Sequence, residues 1–304
     1  MTGFITVFWK ELSDHFNGWR AIILFLMIYI TGLFALWIVH QNIRDEVTSE
    51  TQFIFLRLFA VSGGDVKSFL YIISLVLPII GIILGFDAIN SERSSGNLSR
   101  LLSQPIYRDS LINGKFAAGI AVLVILIVSI VAVISGLGLR MIGVAPSAEE
   151  VLRLFTFIFV SVLYGAFWMS LAILFSVLFK QVTTSILSSL GIWLFLVIFT
   201  LFNVPALIMF LSGGSDASAL ETAIMISRIS PIFVYQESVS MFLLPTTMTG
   251  LGVSISQGIE LTHPLSFTQS LLLVWPQIIS FIALTAICFA ISYIKFMREE
   301  IRST

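Results

Sequence analysis

The sequence predicts an all-α polytopic membrane protein, and three observations carry that prediction. Hydrophobic residues fill 58% of the 304 positions and charged ones only 11%, against roughly 25% charged in an ordinary globular domain. The mean hydropathy is +1.03. Six apolar runs each reach the length of about 20 residues that a helix needs to cross the hydrocarbon layer. A net charge of −1 excludes a strongly basic nucleic-acid binder, and the single cysteine, Cys288, allows neither an internal disulfide nor a thiolate metal cluster. Lying in an apolar run, Cys288 reads as a small core residue.

The chain reads as one transmembrane domain, 1–304, with spans at about 20–39, 68–89, 112–139, 152–179, 185–211 and 271–294. Ahead of the first span, about 3–17, Phe4, Phe8, Leu12 and Phe16 fall on one helical stripe, with Lys10, Glu11, Ser13 and Asp14 elsewhere. That pattern suits a helix lying at the membrane interface, either an ordinary amphipathic start or a specific elbow. The first apolar run is too long for the core of a signal peptide, and "LWIVHQN" offers no small-x-small cleavage site. Between the fourth and fifth spans only "KQVTTS", Lys180–Ser185, intervenes, enough for a tight turn in a helical hairpin.

Placing both termini inside gives the inner segments ten of the sixteen basic residues and the outer segments ten of the seventeen acidic ones, the asymmetry expected of a cell-membrane protein with cytoplasmic termini. The outer stretch of about 212–270 is too long for a plain connection. Its "ETAIMISRISPIFVYQES" can form a short amphipathic helix ended by Ser230–Pro231, and its nearly uncharged remainder suits a re-entrant or surface-lying segment.

Several chemistries are missing. No G-x-x-x-x-G-K-[ST] phosphate loop occurs, because Gly114–Lys115 is followed by Phe116 and lacks the upstream glycine. His15, His40 and His263 are too far apart in sequence to suggest a metal site, and the Gly-Ser-Asp run at 213–217 has no histidine to serve it. Ionisable groups are scarce within the spans, which argues against an ion-coupled carrier. Phe167, Trp168 and Trp193 are aromatic candidates for a pathway lining, although packing against lipid or neighbouring helices is the stronger account.

One polar stretch breaks the pattern: "DAINSERSSGNLSRLLSQP", Asp87–Pro105, on the inner side. The second span should run past Asp87 into "NSER" and end near Gly96, which tolerates a left-handed terminus. Asp87 itself would face the headgroups or bond a nearby backbone N–H or Arg93. Asn97 suits the N-cap of a short helix whose Leu98, Leu101 and Leu102 make one apolar face and which Pro105 stops. Asp109 or Ser110 can cap the helix that follows.

These residues resemble a segment of type 2 ABC export permeases: an acid, then Ile, Glu-Arg, Gly, a polar residue and Leu, followed by Leu-Leu-Ser-x-Pro, Arg and Gly-Lys. Here Asp87, Ile89, Glu92, Arg93, Gly96, Leu98, Leu101, Leu102, Ser103, Pro105, Arg108, Gly114 and Lys115 carry the match, with Asn97 in place of the usual Thr. The layout is similar along the whole chain, and "RISPIFVY" with the charged tail resembles the branch containing permeases of copper-site maturation systems.

The resemblance implies a permease subunit that exports a substrate, bound to a separate cytoplasmic ABC ATPase and paired with a second permease copy as a homodimer. ATP and Mg would sit on the ATPase, with no cofactor on this chain. Glu92, Arg93, Gly96, Asn97, Leu98, Leu101 and Leu102 would form a coupling helix docking on the ATPase, with Lys180 and Thr183 as a second contact. Membrane lipid would surround the spans, and the outer segment leaves a place for an extracytoplasmic accessory protein. Two other classes stay open: an ion-coupled carrier or channel, and a membrane assembly or force-transmitting subunit that moves no cargo. The residues name no substrate.

Overall fold

The computed structural model describes residues 2–46, 53–60, 68–94, 107–201, 225–245, 247–248, 259–260 and 264–298. In chain order its helices are α1 (Thr2–Asn17), α2 (Trp19–Glu46), α3 (Ile54–Ala60), α4 (Phe69–Gly85), α5 (Asn90–Ser94), α6 (Arg108–Ile142), α7 (Ala148–Leu178), α8 (Val182–Leu201), α9 (Pro231–Leu243) and α10 (Phe267–Arg298). Among the described residues six helices are long and apolar enough to cross a membrane: α2, α4, α6, α7, α8 and α10. A two-residue antiparallel pair sets β1 (Thr247–Met248) against β2 (Ile259–Glu260), Thr247 opposite Glu260. It leaves the class unchanged, an all-α polytopic membrane protein.

Helix α7 is the axis of the bundle, with α4, α6, α8, α9 and α10 packed around it. It meets α4 backbone to backbone, where Gly81 and Gly85 lie one turn apart. A β-carbon on Gly81 would fall 2.6 Å from the Gly165 carbonyl oxygen, and one on Gly85 would fall 2.5 Å from that of Met169. Bare glycine lets the two backbones meet, which is how apolar helices associate where lipid is as oily as their side chains. The outer helices bury far less: α8 only Ser185, Ser189 and Val197, and α10 only Ser270, Val274, Phe281, Ser292 and Phe296.

Helix α7 starts from a capping box. The Glu150 N–H donates to Ser147 Oγ at 3.2 Å and the Ser147 N–H to Glu150 Oε2 at 2.8 Å. The other carboxylate oxygen of Glu150 accepts the Phe55 N–H at 3.0 Å, which fastens α3 to this end. One turn on, Arg153 is fully buried. It donates to Glu149 Oε1 at 2.7 Å, Ser270 Oγ at 3.2 Å and the Leu265 carbonyl at 2.6 Å, and stacks over the Phe53 ring.

Several expectations need correction. Pro231 opens a helix instead of closing one, because its fixed φ and missing N–H suit the first helical position. The resulting α9 is buried among α7, α10 and α4. Tyr235 stacks on Tyr164 with ring centroids 4.3 Å apart and shares a 2.8 Å hydrogen bond with Ser161. Gln236 donates to Ser74 Oγ at 2.7 Å. Trp168 and Phe167 are packed in the core against Tyr164 and Phe281, while Trp193 is half-buried.

Other boundaries move too. Tyr107, not Asp109 or Ser110, is the N-cap of α6; Asp109 lies in the first turn and accepts the Ser110 N–H at 2.7 Å. The α7–α8 turn shrinks to 179–181, because Val182–Thr184 are already helical. The second span does not run unbroken into "NSER": α4 stops at Gly85, and residues 86–89 form a turn before α5. The cause lies on another part of the chain, as described next. The Gly-Ser-Asp run at 213–217 and most of the segment after Pro245 lie outside the described residues.

Candidate functional site

Charged side chains gather where α1, the start of α2, the 86–94 segment and the start of α6 meet. Helix α1 lies directly on α6: a β-carbon on Gly114 would come within 2.7 Å of Val7 Cγ1. The face of α1 turned inward therefore carries Val7 and Glu11, both buried. The stripe of Phe4, Phe8, Leu12 and Phe16 flanks that face, with Phe4 and Phe16 exposed. Glu11 can occupy the inner face because the residue after Gly114 is a cation.

Lys115 Nζ is 2.9 Å from Glu11 Oε2 on α1 and 2.9 Å from Glu92 Oε1 on α5; the three side chains are only 11–13% exposed. Lys10 adds a 3.0 Å contact to the other oxygen of Glu11. Burial alone would raise the Glu11 carboxyl, but the Lys115 and Lys10 ammoniums outweigh it and hold the group below its ordinary value. Nearby, burial pushes the His15 imidazole below its ordinary range, with Lys115 and Arg20 acting in the same direction and Glu11 and Asp87 against it.

A second ion pair lies alongside. Arg20, at the start of α2, grips Asp87 with both terminal nitrogens, one contact measuring 3.0 Å, and lies 5.5 Å from the centre of the Phe86 ring. A planar fork against a carboxylate fixes orientation as well as distance. Asp87 thus pairs with Arg20, 67 positions away, and not with Arg93. The two ion-pair groups border a cleft of about 490 Å³ whose lining includes Lys10, His15, Asp87, Glu92 and Lys115.

The helix break at 86–89 is built from outside. Ser176 Oγ, near the end of α7, accepts the backbone N–H of Ile89 at 2.9 Å and of Asn90 at 3.1 Å. The carbonyl of Phe86 accepts the Ser185 hydroxyl of α8 at 2.6 Å. A side chain inserted into the i→i−4 ladder is a recognised cause of a sharp bend. Asn90 Nδ2 also donates to the Gln181 carbonyl at 3.5 Å, in the turn between α7 and α8.

Of the residues expected to couple to a partner, Glu92 and Arg93 lie half-buried on α5, and Lys180 and Thr183 are exposed at the α7–α8 turn. Gly96, Asn97, Leu98, Leu101 and Leu102 lie outside the described residues. The fold brings α5 beside that turn. Sequence reasoning did not single out Glu11, Arg20, Ser176 or Ser185 for this site, and it read Lys115 only as part of a motif. The Gly114–Lys115 pair was the available signal; the Arg20–Asp87 pair left none.

The match to known proteins covers these elements together: residues 5–301 fit the family described as ABC-2 family transporter protein. The chain belongs to the ABC-2 family. Two relatives are named Probable ABC transporter permease protein NosY. The Pseudomonas aeruginosa protein is 30% identical over 51% of this chain and 56% of its own length. The Stutzerimonas stutzeri protein is 24% identical over 88% of this chain and 91% of its own. The chain thus spans little more than half of the first relative and nearly all of the second. As an ABC-2 protein with six apolar helices of spanning length among the described residues, it is a multi-pass membrane subunit of an ABC transporter.

Proposed function

We propose that this chain is the permease of an ATP-driven exporter in the cell membrane, working as a pair of identical copies with a separate cytoplasmic ABC ATPase that carries the ATP and Mg. Both termini then face the cytoplasm, as the distribution of basic residues favours. The observation that carries this reading is the placement of Lys115 between Glu11 and Glu92. It fastens the segment leading into 95–106 to both the elbow helix and the third span. Force received at 95–106 therefore reaches two helices at once.

In this mechanism Gly96, Asn97, Leu98, Leu101 and Leu102 form the element gripped by the ATPase, with Arg93 orienting it and Lys180 and Thr183 making the smaller contact. Closure of the ATPase dimer on ATP draws the two gripped elements together, and the bundles move as rigid bodies so that a central pathway changes the side it faces. This chain contributes no group to hydrolysis. The names of its relatives and its own residues support transport without specifying the cargo.

The test is affinity purification of the full chain from its native membrane, followed by ATPase assays with and without it. An ABC ATPase should copurify, and Glu92→Ala should leave the complex assembled while abolishing the permease-dependent part of hydrolysis. A chain that captures no ATPase, or one that transports alone in liposomes, would sink the reading.

A further inference from the structure

The break between α4 and α5 carries an inference beyond the role of Glu92. A continuous helix would bond the Ile89 N–H to the Gly85 carbonyl and the Asn90 N–H to the Phe86 carbonyl. Neither bond is made here. Ser176 takes both N–H groups, and the Phe86 carbonyl is taken by Ser185, with Asn90 Nδ2 at 3.3 Å. Ser176, Ser185 and Asn90 are all fully buried. Ladder bonding resumes beyond, with the Ser91 N–H reaching the Asp87 carbonyl at 3.4 Å and the Arg93 N–H reaching Ile89 at 3.1 Å.

We infer that residues 86–89 are a joint, and that Ser176 and Ser185 are positioning residues that transfer movement of α5 to the α7–α8 hairpin instead of along the axis of α4. Three facts converge on this. The backbone groups freed by the break are held by side chains of α7 and α8. The Asn90 amide reaches the Gln181 carbonyl in the turn that joins those helices. The α4 backbone just before the break is pressed on α7 at Gly81 and Gly85, so α4 has little freedom to slide as a rod. The 90–94 segment and the 179–181 turn consequently move as one body, although 91 positions separate Asn90 from Gln181.

The joint itself is a matter of structure, while its part in coupling rests on the function proposed above; the experiment separates the two. Spin labels at the exposed positions 13 and 94, in the full chain in nanodiscs, report the placement of α5 against α1. Ser176→Ala removes the acceptor and should let the ladder close, shifting or broadening that distance. Ser176→Thr keeps the hydroxyl and should restore it. In the complex with the copurifying ATPase, Ser176→Ala should cut permease-dependent hydrolysis about tenfold, with recovery in Ser176→Thr.

An unchanged distance in Ser176→Ala overturns the joint whether or not an ATPase binds. A changed distance with unchanged hydrolysis in an assembled complex overturns its coupling role alone. If the variants fail to fold, hydrogen exchange on the wild-type chain decides: the Ile89 and Asn90 amides should be protected like helix interior, and exchange at the rate of an open turn would refute the inference.

Discussion

Lys115 is the residue whose removal should be felt furthest. It separates two carboxylates that share little solvent, so Lys115→Met takes from Glu11 and Glu92 the cation they share and leaves Lys10, itself half-exposed, as the counter-charge on Glu11. Losing one partner of a buried charge cluster costs about 3–5 kcal/mol, and adding Glu92→Gln should recover part of it. Thermal unfolding of the purified chain, with limited trypsin cleavage at Lys10 as a reporter of the elbow, measures both. The same site predicts a response to acid. His15 is held below 6.5, so the stability it lends is complete above that value and falls as pH drops through its folded value. Glu11 is held below 4.5, and its contribution fades later, as pH drops through a value under 4.5. Elbow docking should therefore weaken in two stages, and His15→Asn should flatten the first in a plot of melting temperature against pH.

At the scale of elements, the α4–α7 contact depends on the absence of side chains. Gly85→Val should force the helices apart and cost about 1–3 kcal/mol or more, whereas Gly136→Ala, where a β-carbon meets nothing within 4 Å, should be silent. Melting temperatures of the two variants in the same detergent give the comparison. At the other end, Arg153 joins α7 to the residues ahead of α10 and to α9 through the Phe242 carbonyl. Arg153→Ala would leave the Leu265 and Phe242 carbonyls without their donor, while Glu149 keeps its water, and a loss of about 1–3 kcal/mol is expected. Protease sensitivity at the α9–α10 connection should rise with it. Helix α9 is held by the Tyr164–Tyr235 stack and the Gln236–Ser74 bond, and a fully satisfied buried network of this kind fixes one register.

Across the whole molecule, polarity collects at the two ends of the bundle. At one end lie Glu11, Asp87, Glu92 and Lys115; at the other lie Glu149, Glu150 and Arg153. Helix α6, with 35 residues, is about 52 Å long and outreaches a hydrocarbon layer of about 30 Å. Lys115 can thus sit outside the oil while the same helix crosses it. If the first end is cytoplasmic, cysteines at positions 13 and 180, in a Cys288→Ala background, should react with an impermeant maleimide only from inside. One at position 144 should react only from outside. Labelling of all three from one face would reject the orientation.

The sequence by itself determined the class, the six apolar helices and the unusual polar stretch after the second of them, because hydrophobic length and charge scarcity are local properties that lipid enforces directly. It also held a trace of the site in Gly114–Lys115, since a small residue beside a cation is readable along the chain. Only the tertiary structure decided that Glu11 turns inward, that Arg20 finds Asp87, and that Pro231 opens a buried helix. It alone showed Ser176 and Ser185 completing the backbone bonding of another helix. Each of these depends on a partner brought near by packing, and a backbone group chooses between its own ladder and a foreign hydroxyl only after the helices have met.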